Sequence, residues 1–104
     1  MATAPSGTIL EHHLPTDRFR PLTHVVWTTH TDATVLLDAD RGLYYTVYGV
    51  ASRVWELMVA GEPLMEILRC LADEYEVDGE TLEADVAALL KSLLDSALIQ
   101  RIPA

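Results

Sequence analysis

The segment from residue 24 to residue 47, HVVWTTHTDATVLLDADRGLYYTV, contains three short runs of β-branched and aromatic residues. These runs, residues 24–30, 34–37 and 43–47, have the composition of β-strands. The spacers between them are short and rich in turn-forming residues, so neighbouring strands should be antiparallel. The segment therefore predicts a three-stranded antiparallel sheet.

The chain after residue 49 has the apolar periodicity of three helices. The first helix should end at Gly61, which favours a left-handed cap. Pro63 suits the first turn of a second helix, and Asp78 is an N-cap residue for a third. The apolar face of the first helix consists of Val50, Val54, Leu57 and Met58, and the stripe of the third consists of Leu82, Val86, Leu89, Leu90, Leu93 and Leu94. Strands followed by helices predict an α+β domain with the helices on one side of the sheet.

The first 22 residues are predicted to form a flexible N-terminal tail, because prolines interrupt them and apolar residues are few. A single domain then spans residues 23–102, with Ile99 and Ile102 trailing after the third helix. On this interpretation, removal of the residues before Pro21 should leave folding largely intact.

Composition excludes several classes of function. The 104 residues contain seven Lys and Arg against sixteen Asp and Glu, a formal net charge of −9. Nucleic acids and anionic membrane surfaces attract Lys and Arg, so neither is an expected partner. No apolar run reaches the roughly 20 residues that span a bilayer, and the first residues lack the features of a secretory signal. We therefore expect a cytoplasmic single-domain protein.

The residues that most often carry chemistry form no recognisable active site. Cys70 is the only cysteine, which excludes an internal disulfide and a cysteine-based metal cage. His24 and His30 would lie about 20 Å apart along one strand, too far to share a zinc ion. Residues 38–42 resemble the start of a calcium loop, but Gly42 comes one position too early. The sequence thus predicts no enzyme, metal or cofactor, and the alternative is a small hydrolase that uses His24 or His30.

The third strand carries three tyrosines in six positions. Alternation places Tyr45 and Val47 on one face and Tyr44, Thr46 and Tyr48 on the other. In a small sheet covered on one side, one set is exposed, and tyrosine is a favoured interface residue. The alternation leaves open which set that is.

The third helix has a broad apolar stripe, which Asp85 borders on the Leu89 side. A stripe of this width can serve the core with one flank and a groove with the other.

Several segments between residues 24 and 100 follow one another in a characteristic order. They are Val35-Leu36-Leu37, Gly42-Leu43-Tyr44-Tyr45-Thr46-Val47, Val54-Trp55-Glu56-Leu57, Ile67 to Tyr75 with Val77-Asp78, and Leu82-Glu83-Ala84-Asp85-Val86 through Leu98-Ile99. In this order they resemble the PqqD-like family, the RiPP recognition elements, which capture leader peptides of ribosomally made, post-translationally modified peptides. The chain departs from the family where Tyr48 replaces a common Asn and Ala97 a common Gly, positions that bear on helix caps.

The resemblance implies a winged-helix-like fold in which a leader peptide adds to the third strand and lies against the third helix. The implied peptide-binding residues are Leu43, Tyr44, Tyr45, Thr46 and Val47 on the strand and Leu82, Asp85, Val86 and Leu89 on the helix. Apolar leader side chains should contact Leu82, Val86 and Leu89. Asp85 should accept a hydrogen bond or pair with a basic leader residue.

A free-standing domain of this family resembles the lasso-peptide type, which passes its peptide to a separate leader peptidase and then to a cyclase. The alternative within the family is the pyrroloquinoline-quinone type, a peptide chaperone for a radical enzyme. An acidic winged-helix protein in transcription would need a basic third helix, yet residues 81–97 contain only Lys91. The exposed edge of the third strand makes either a monomer or a weak dimer the expected state.

Overall fold

Five strands and three helices form the part of the chain that the computed structural model describes, residues 13–102. The strands are β1 (Arg18–Pro21), β2 (Val25–His30), β3 (Ala33–Asp38), β4 (Leu43–Tyr48) and β5 (Ile99–Ile102). The helices are α1 (Val50–Val59), α2 (Leu64–Glu74) and α3 (Gly79–Asp95). The predicted α+β arrangement, a three-stranded antiparallel sheet followed by three helices, is confirmed.

Strands β2, β3 and β4 form the antiparallel sheet, with β3 in the centre. Asp38 builds the turn between β3 and β4, because its Oδ1 accepts the backbone N–H of Asp40 and of Arg41, each at 3.0 Å. Gly42 closes the turn with a φ of 70° and donates its N–H to the Asp38 carbonyl at 2.7 Å. The segment that resembles a calcium loop is therefore a hairpin turn capped by its own carboxylate.

The sheet has one face toward the helices and one open face. On the helix side, β3 contributes Thr34, Leu36 and Asp38, which are all buried. The open face consists of nine residues with no Asp, Glu, Lys or Arg among them, namely Val26, Thr28, His30, Ala33, Val35, Leu37, Tyr44, Thr46 and Tyr48. The many carboxylates of the chain are thus concentrated on the helices and loops.

The helix ends lie close to the predicted positions. Gly61 follows α1 with a φ of 92°, and the Asp78 side chain caps α3 by accepting the Thr81 N–H at 3.2 Å. Ala97 takes the left-handed position after α3, with a φ of 57°, although glycine is the residue that adopts it without strain. The Leu98 N–H then donates to a carbonyl in the last turn of α3.

The core lies between the sheet and the three helices. Its largest fully buried side chains are Trp55, Phe19, Leu36, Met58, Leu64, Ile67, Leu71, Leu90 and Leu98. Trp55 on α1 packs edge to face against Trp27 on β2, with ring centroids 5.5 Å apart. This contact fixes α1 against the sheet.

The prediction of a flexible tail up to residue 22 is wrong for its last part, because residues 18–21 form β1. This strand pairs with β5, so Ile99 and Ile102 belong to a strand instead of trailing after α3. Phe19 on β1 is 1% exposed and belongs to the core. The local sequence does not reveal β1, since its stability depends on a partner about 80 residues away. Residues 1–12, the rest of the predicted tail, lie outside the described residues.

The segment before β1 also caps α2. Pro63 at the N-cap position of this helix makes no side-chain cap. Instead, the Leu64 N–H donates to the Asp17 carbonyl and the Met65 N–H donates to the Pro15 carbonyl, both at 2.9 Å. Backbone donors of a first helical turn need such acceptors. Removal of the residues before Pro21 would therefore take away caps as well as core, contrary to the expectation from sequence.

Candidate functional site

A cleft opens between the end of β4, the start of α1 and the middle of α3. Its volume is about 230 Å³, and it is lined by Tyr48, Val50, Ala51, Val54, Asp85, Val86 and Leu89. A cavity of about 150 Å³ is large enough to hold a benzene molecule. The cleft can therefore accept a large aliphatic or aromatic side chain.

Two helices supply most of the cleft walls. Val54 on α1 and Val86 on α3 are each 1% exposed, whereas Asp85 is exposed and Leu89 is half-buried. Gly49 joins β4 directly to α1 with a φ of 57°, which places Tyr48 and Val50 at the same end of the cleft. The cleft thus lies beside the last residues of β4.

Strand β4 has a free edge along the same side of the domain. Within the described residues, β4 pairs only with β3. The Gly49 N–H donates to the Asp32 carbonyl at 2.9 Å, so this pair is hydrogen-bonded. Hydrogen-bonded and non-hydrogen-bonded pairs alternate along an antiparallel ladder. The backbone N–H and C=O groups of Tyr44, Thr46 and Tyr48 therefore point away from β3 toward the free edge.

The register settles which side chains of β4 face the helices. Tyr45 lies opposite the buried Leu36 and packs against the core, and Val47 lies opposite the buried Thr34. Tyr44 and Tyr48 project from the open face with exposures of 71% and 69%. The exposed set left open by alternation is thus Tyr44, Thr46 and Tyr48.

The predicted helix residues do not all lie in the cleft. Asp85, Val86 and Leu89 line it, and the buried Val86 belongs to the core as well, whereas Leu82 is in the core and does not line the cleft. None of the predicted strand residues 43–47 lines the cleft, although they form the free edge that leads to it.

Sequence reasoning missed the wall formed by the end of β4 and the start of α1. Tyr48, Val50, Ala51 and Val54 line the cleft, although the periodicity of α1 indicated a core face only. The available signal was the single glycine between strand and helix, because so short a connection must bring the two elements together.

The two candidate catalytic histidines lie elsewhere. His24 Nε2 is 2.9 Å from the Ala97 carbonyl oxygen, and the ring lies 3.8 Å from the buried Asp38 carboxylate. This contact ties the start of β2 to the segment after α3. His30 is exposed at the other end of β2. Neither histidine lines the cleft, so the hydrolase alternative gains no support from this arrangement.

Residues 13–102 contain no group of three or more His, Cys, Asp or Glu arranged to hold a metal ion. None of the helices in this range is both long enough and apolar enough to cross a membrane.

Comparisons with known proteins show which family this sequence and fold resemble. The sequence profile of the family described as coenzyme PQQ synthesis protein D (PqqD) matches residues 33–99. The solved structure of TbiB1 in complex with the TbiA(beta) leader peptide is similar, with 32% identity, a TM-score of 0.74, and coverage of 78% of this chain and 94% of that chain.

A second solved structure, lasso peptide synthetase B1 complexed with the leader peptide, has 26% identity and a TM-score of 0.73 and covers 80% of this chain and 98% of that chain. No curated protein sequence matches the chain. The resemblance drawn from the sequence is thus confirmed, and this chain belongs to the PqqD family.

Proposed function

We propose that this chain is a recognition protein that binds the leader peptide of a ribosomally synthesised precursor by β-strand addition. The observation that carries the proposal is the free edge of β4 beside an apolar cleft against α3. The two similar solved structures are both complexes with leader peptides, which supports the same use of this surface. The similarity to a lasso peptide synthetase B1 favours a lasso-peptide pathway over the pyrroloquinoline-quinone pathway.

The binding mode follows from the two parts of the surface. A strand added to β4 would form its hydrogen bonds with the outward backbone groups of Tyr44, Thr46 and Tyr48. Its side chains on the helix side would enter the cleft, where Val86 and Leu89 provide apolar contact. Backbone bonds supply sequence-independent affinity, and the cleft supplies selectivity.

The proposal gives the chain no catalytic role and no cofactor. The protein would present the bound leader, in the cytoplasm, to a separate leader peptidase and then to a cyclase. The protein acts as a monomer or weak dimer. A transcriptional role is disfavoured because the single cation of α3, Lys91, lies 2.7 Å from Asp95 and is already paired.

The experiment is a fluorescence anisotropy titration with a labelled synthetic leader peptide, taken from a short precursor gene to be sought beside this chain's gene. Leu89→Arg should weaken binding at least tenfold, because a guanidinium would lie across an apolar cleft. Ala84→Arg is the matched control, since Ala84 is exposed on the same helix, does not line the cleft, and as the direct neighbour of Asp85 in sequence does not face its carboxylate. Equal affinities of the two folded variants would refute the proposed site.

A further inference from the structure

Among residues 13–102, Asp85 is the only charged residue that lines the cleft. Within residues 13–102 its carboxylate makes no hydrogen bond or ion pair. An exposed carboxylate at the rim of an apolar cleft is available to a cation brought by a ligand.

The cations of the chain are nearly all engaged elsewhere. Six of its seven Lys and Arg residues contact other groups: Arg18 at the Gly61 carbonyl, Arg41 at Asp38, Arg53 at Glu74, Arg69 at Glu66, Lys91 at Asp95 and Arg101 at Asp17. None of the contacts of these six residues is with Asp85, so they do not compensate the negative charge of the cleft.

Other carboxylates add to the negative electrostatic potential around Asp85. Asp78 caps α3, and Glu80 and Glu83 lie in its first half with no Lys or Arg before Lys91. The chain as a whole carries a net charge of −9. A basic ligand is therefore attracted to this end of α3 and an acidic one is repelled.

Helix and strand geometry fix the spacing of the ligand residues. Asp85 and Leu89 are separated by about one helical turn, a rise of about 5.4–6 Å. Side chains on one face of a strand recur every two residues, about 6.7 Å apart. We take the added strand to run along α3. One of its side chains then lies near Leu89 and the side chain two positions away lies near Asp85, and the long stem of Lys or Arg spans the difference between the helical rise and the strand repeat.

From this geometry we infer that the cleft selects leaders in which a Lys or Arg lies two positions from a large apolar residue. The apolar side chain fills the space between Val86 and Leu89, and the cation pairs with Asp85. This inference rests on the proposed function and specifies its substrate class. It assigns to Asp85 the role of a specificity-determining residue.

The test is an mRNA-display selection that needs no knowledge of the natural leader. Random peptides about twelve residues long, enough for a strand with flanks, are selected on the parent protein, Asp85→Asn, Asp85→Arg and Leu89→Arg. The parent should enrich an apolar residue with Lys or Arg two positions away. Asp85→Asn should keep the apolar preference and lose the basic one, and Asp85→Arg should enrich Asp or Glu at that position.

A synthetic peptide from the parent's enriched pool measures the size of the effect. Replacing its basic residue by Gln should weaken binding to the parent about twofold to fivefold and leave binding to Asp85→Asn unchanged. High salt should reduce the difference on the parent, because exposed ion pairs are screened.

The outcomes distinguish failure of the role assigned to Asp85 from failure of the proposed peptide-binding function. A parent pool with no basic preference, or the same preference on Asp85→Asn, overturns the role of Asp85 while leaving the cleft as the peptide site. An enriched pool that is unchanged on Leu89→Arg, or no enrichment on the parent over bare resin, overturns the proposed function itself and the inference with it.

Discussion

Replacing Thr46 with proline tests whether the backbone of β4 holds the peptide. Thr46 is the middle one of the three residues whose N–H groups point to the free edge, so its N–H makes no bond to β3. Proline is tolerated at edge positions of this kind. The preceding residue, Tyr45, already lies in a strand, which is the conformation that a following proline requires. We therefore expect a folded variant with a modest loss of stability.

The expected loss of affinity follows from the bonds that proline removes. A backbone hydrogen bond has a net worth of about 0.5–1.5 kcal/mol, but removing only its donor, so that a peptide carbonyl is left unpaired, costs about 1–3 kcal/mol in all. A total near 2 kcal/mol corresponds to roughly thirtyfold weaker binding. Thr46→Ala is the matched control, because it keeps the N–H and changes only a side chain on the open face, so it should bind like the parent.

The assay is a leader titration by isothermal calorimetry on variants that circular dichroism and thermal melting show to be folded. A second arm leaves the protein unchanged and places single N-methyl groups along the leader. Only amides that face β4 should be sensitive, so the losses should alternate with a period of two residues. If folded Thr46→Pro binds as tightly as Thr46→Ala and the N-methyl series shows no alternation, strand addition to β4 is refuted.

Three further predictions concern the fold. Phe19→Ala should lower the free energy of unfolding by about 3–5 kcal/mol, because the ring is 1% exposed. The control Arg20→Ala on the same strand should lower it by under about 0.5 kcal/mol, and equal effects of the two variants in urea titrations would place Phe19 outside the core. The hydrogen bond from Arg53 holds the pKa of the Glu74 carboxyl below its usual range. This pair therefore stabilises the folded parent at pH values above the pKa of Glu74 in the unfolded chain, and the stabilisation is lost as the pH falls through the pKa of Glu74 in the folded protein. Glu74→Gln should therefore flatten the acid limb of stability against pH, and an unchanged limb would contradict the linkage. Ala97→Gly should raise the free energy of unfolding by about 0.5–1 kcal/mol, because the φ of 57° is strained for alanine, and a lower thermal midpoint would show otherwise.

The parts of the fold that sequence could predict are those whose signal is local. The strand runs of β2, β3 and β4 and the periodicity of the three helices are each complete within a short window. The capping residues Gly61 and Asp78 placed helix ends correctly for the same reason. Strand β1, by contrast, reads RFRP and carries no strand pattern of its own. It exists because β5 lies beside it, a contact that no local window contains.

In the candidate site, too, sequence could predict the residues with a local signal and not those whose position depends on packing. The width of the α3 stripe indicated a second apolar flank, and Asp85, Val86 and Leu89 do line the cleft. Leu82 belongs to the same stripe but does not line the cleft, and the stripe alone does not show where the cleft begins. The face of β4 that turns to the helices depends on its register with β3, since a shift of one residue would exchange the two tyrosine sets.

The pairing of β1 with β5 also has a consequence for folding during synthesis on the ribosome. Arg18 and Ile102, which lie opposite each other in this pair, are separated by 84 residues, so β5 is synthesised after every other described element. The strands β2–β4 and the helices follow one another in the sequence and can assemble while translation continues, whereas β1 has no strand partner until β5 emerges. We expect chains arrested before residue 99 to bind quality-control proteases even though their peptide-facing half has formed.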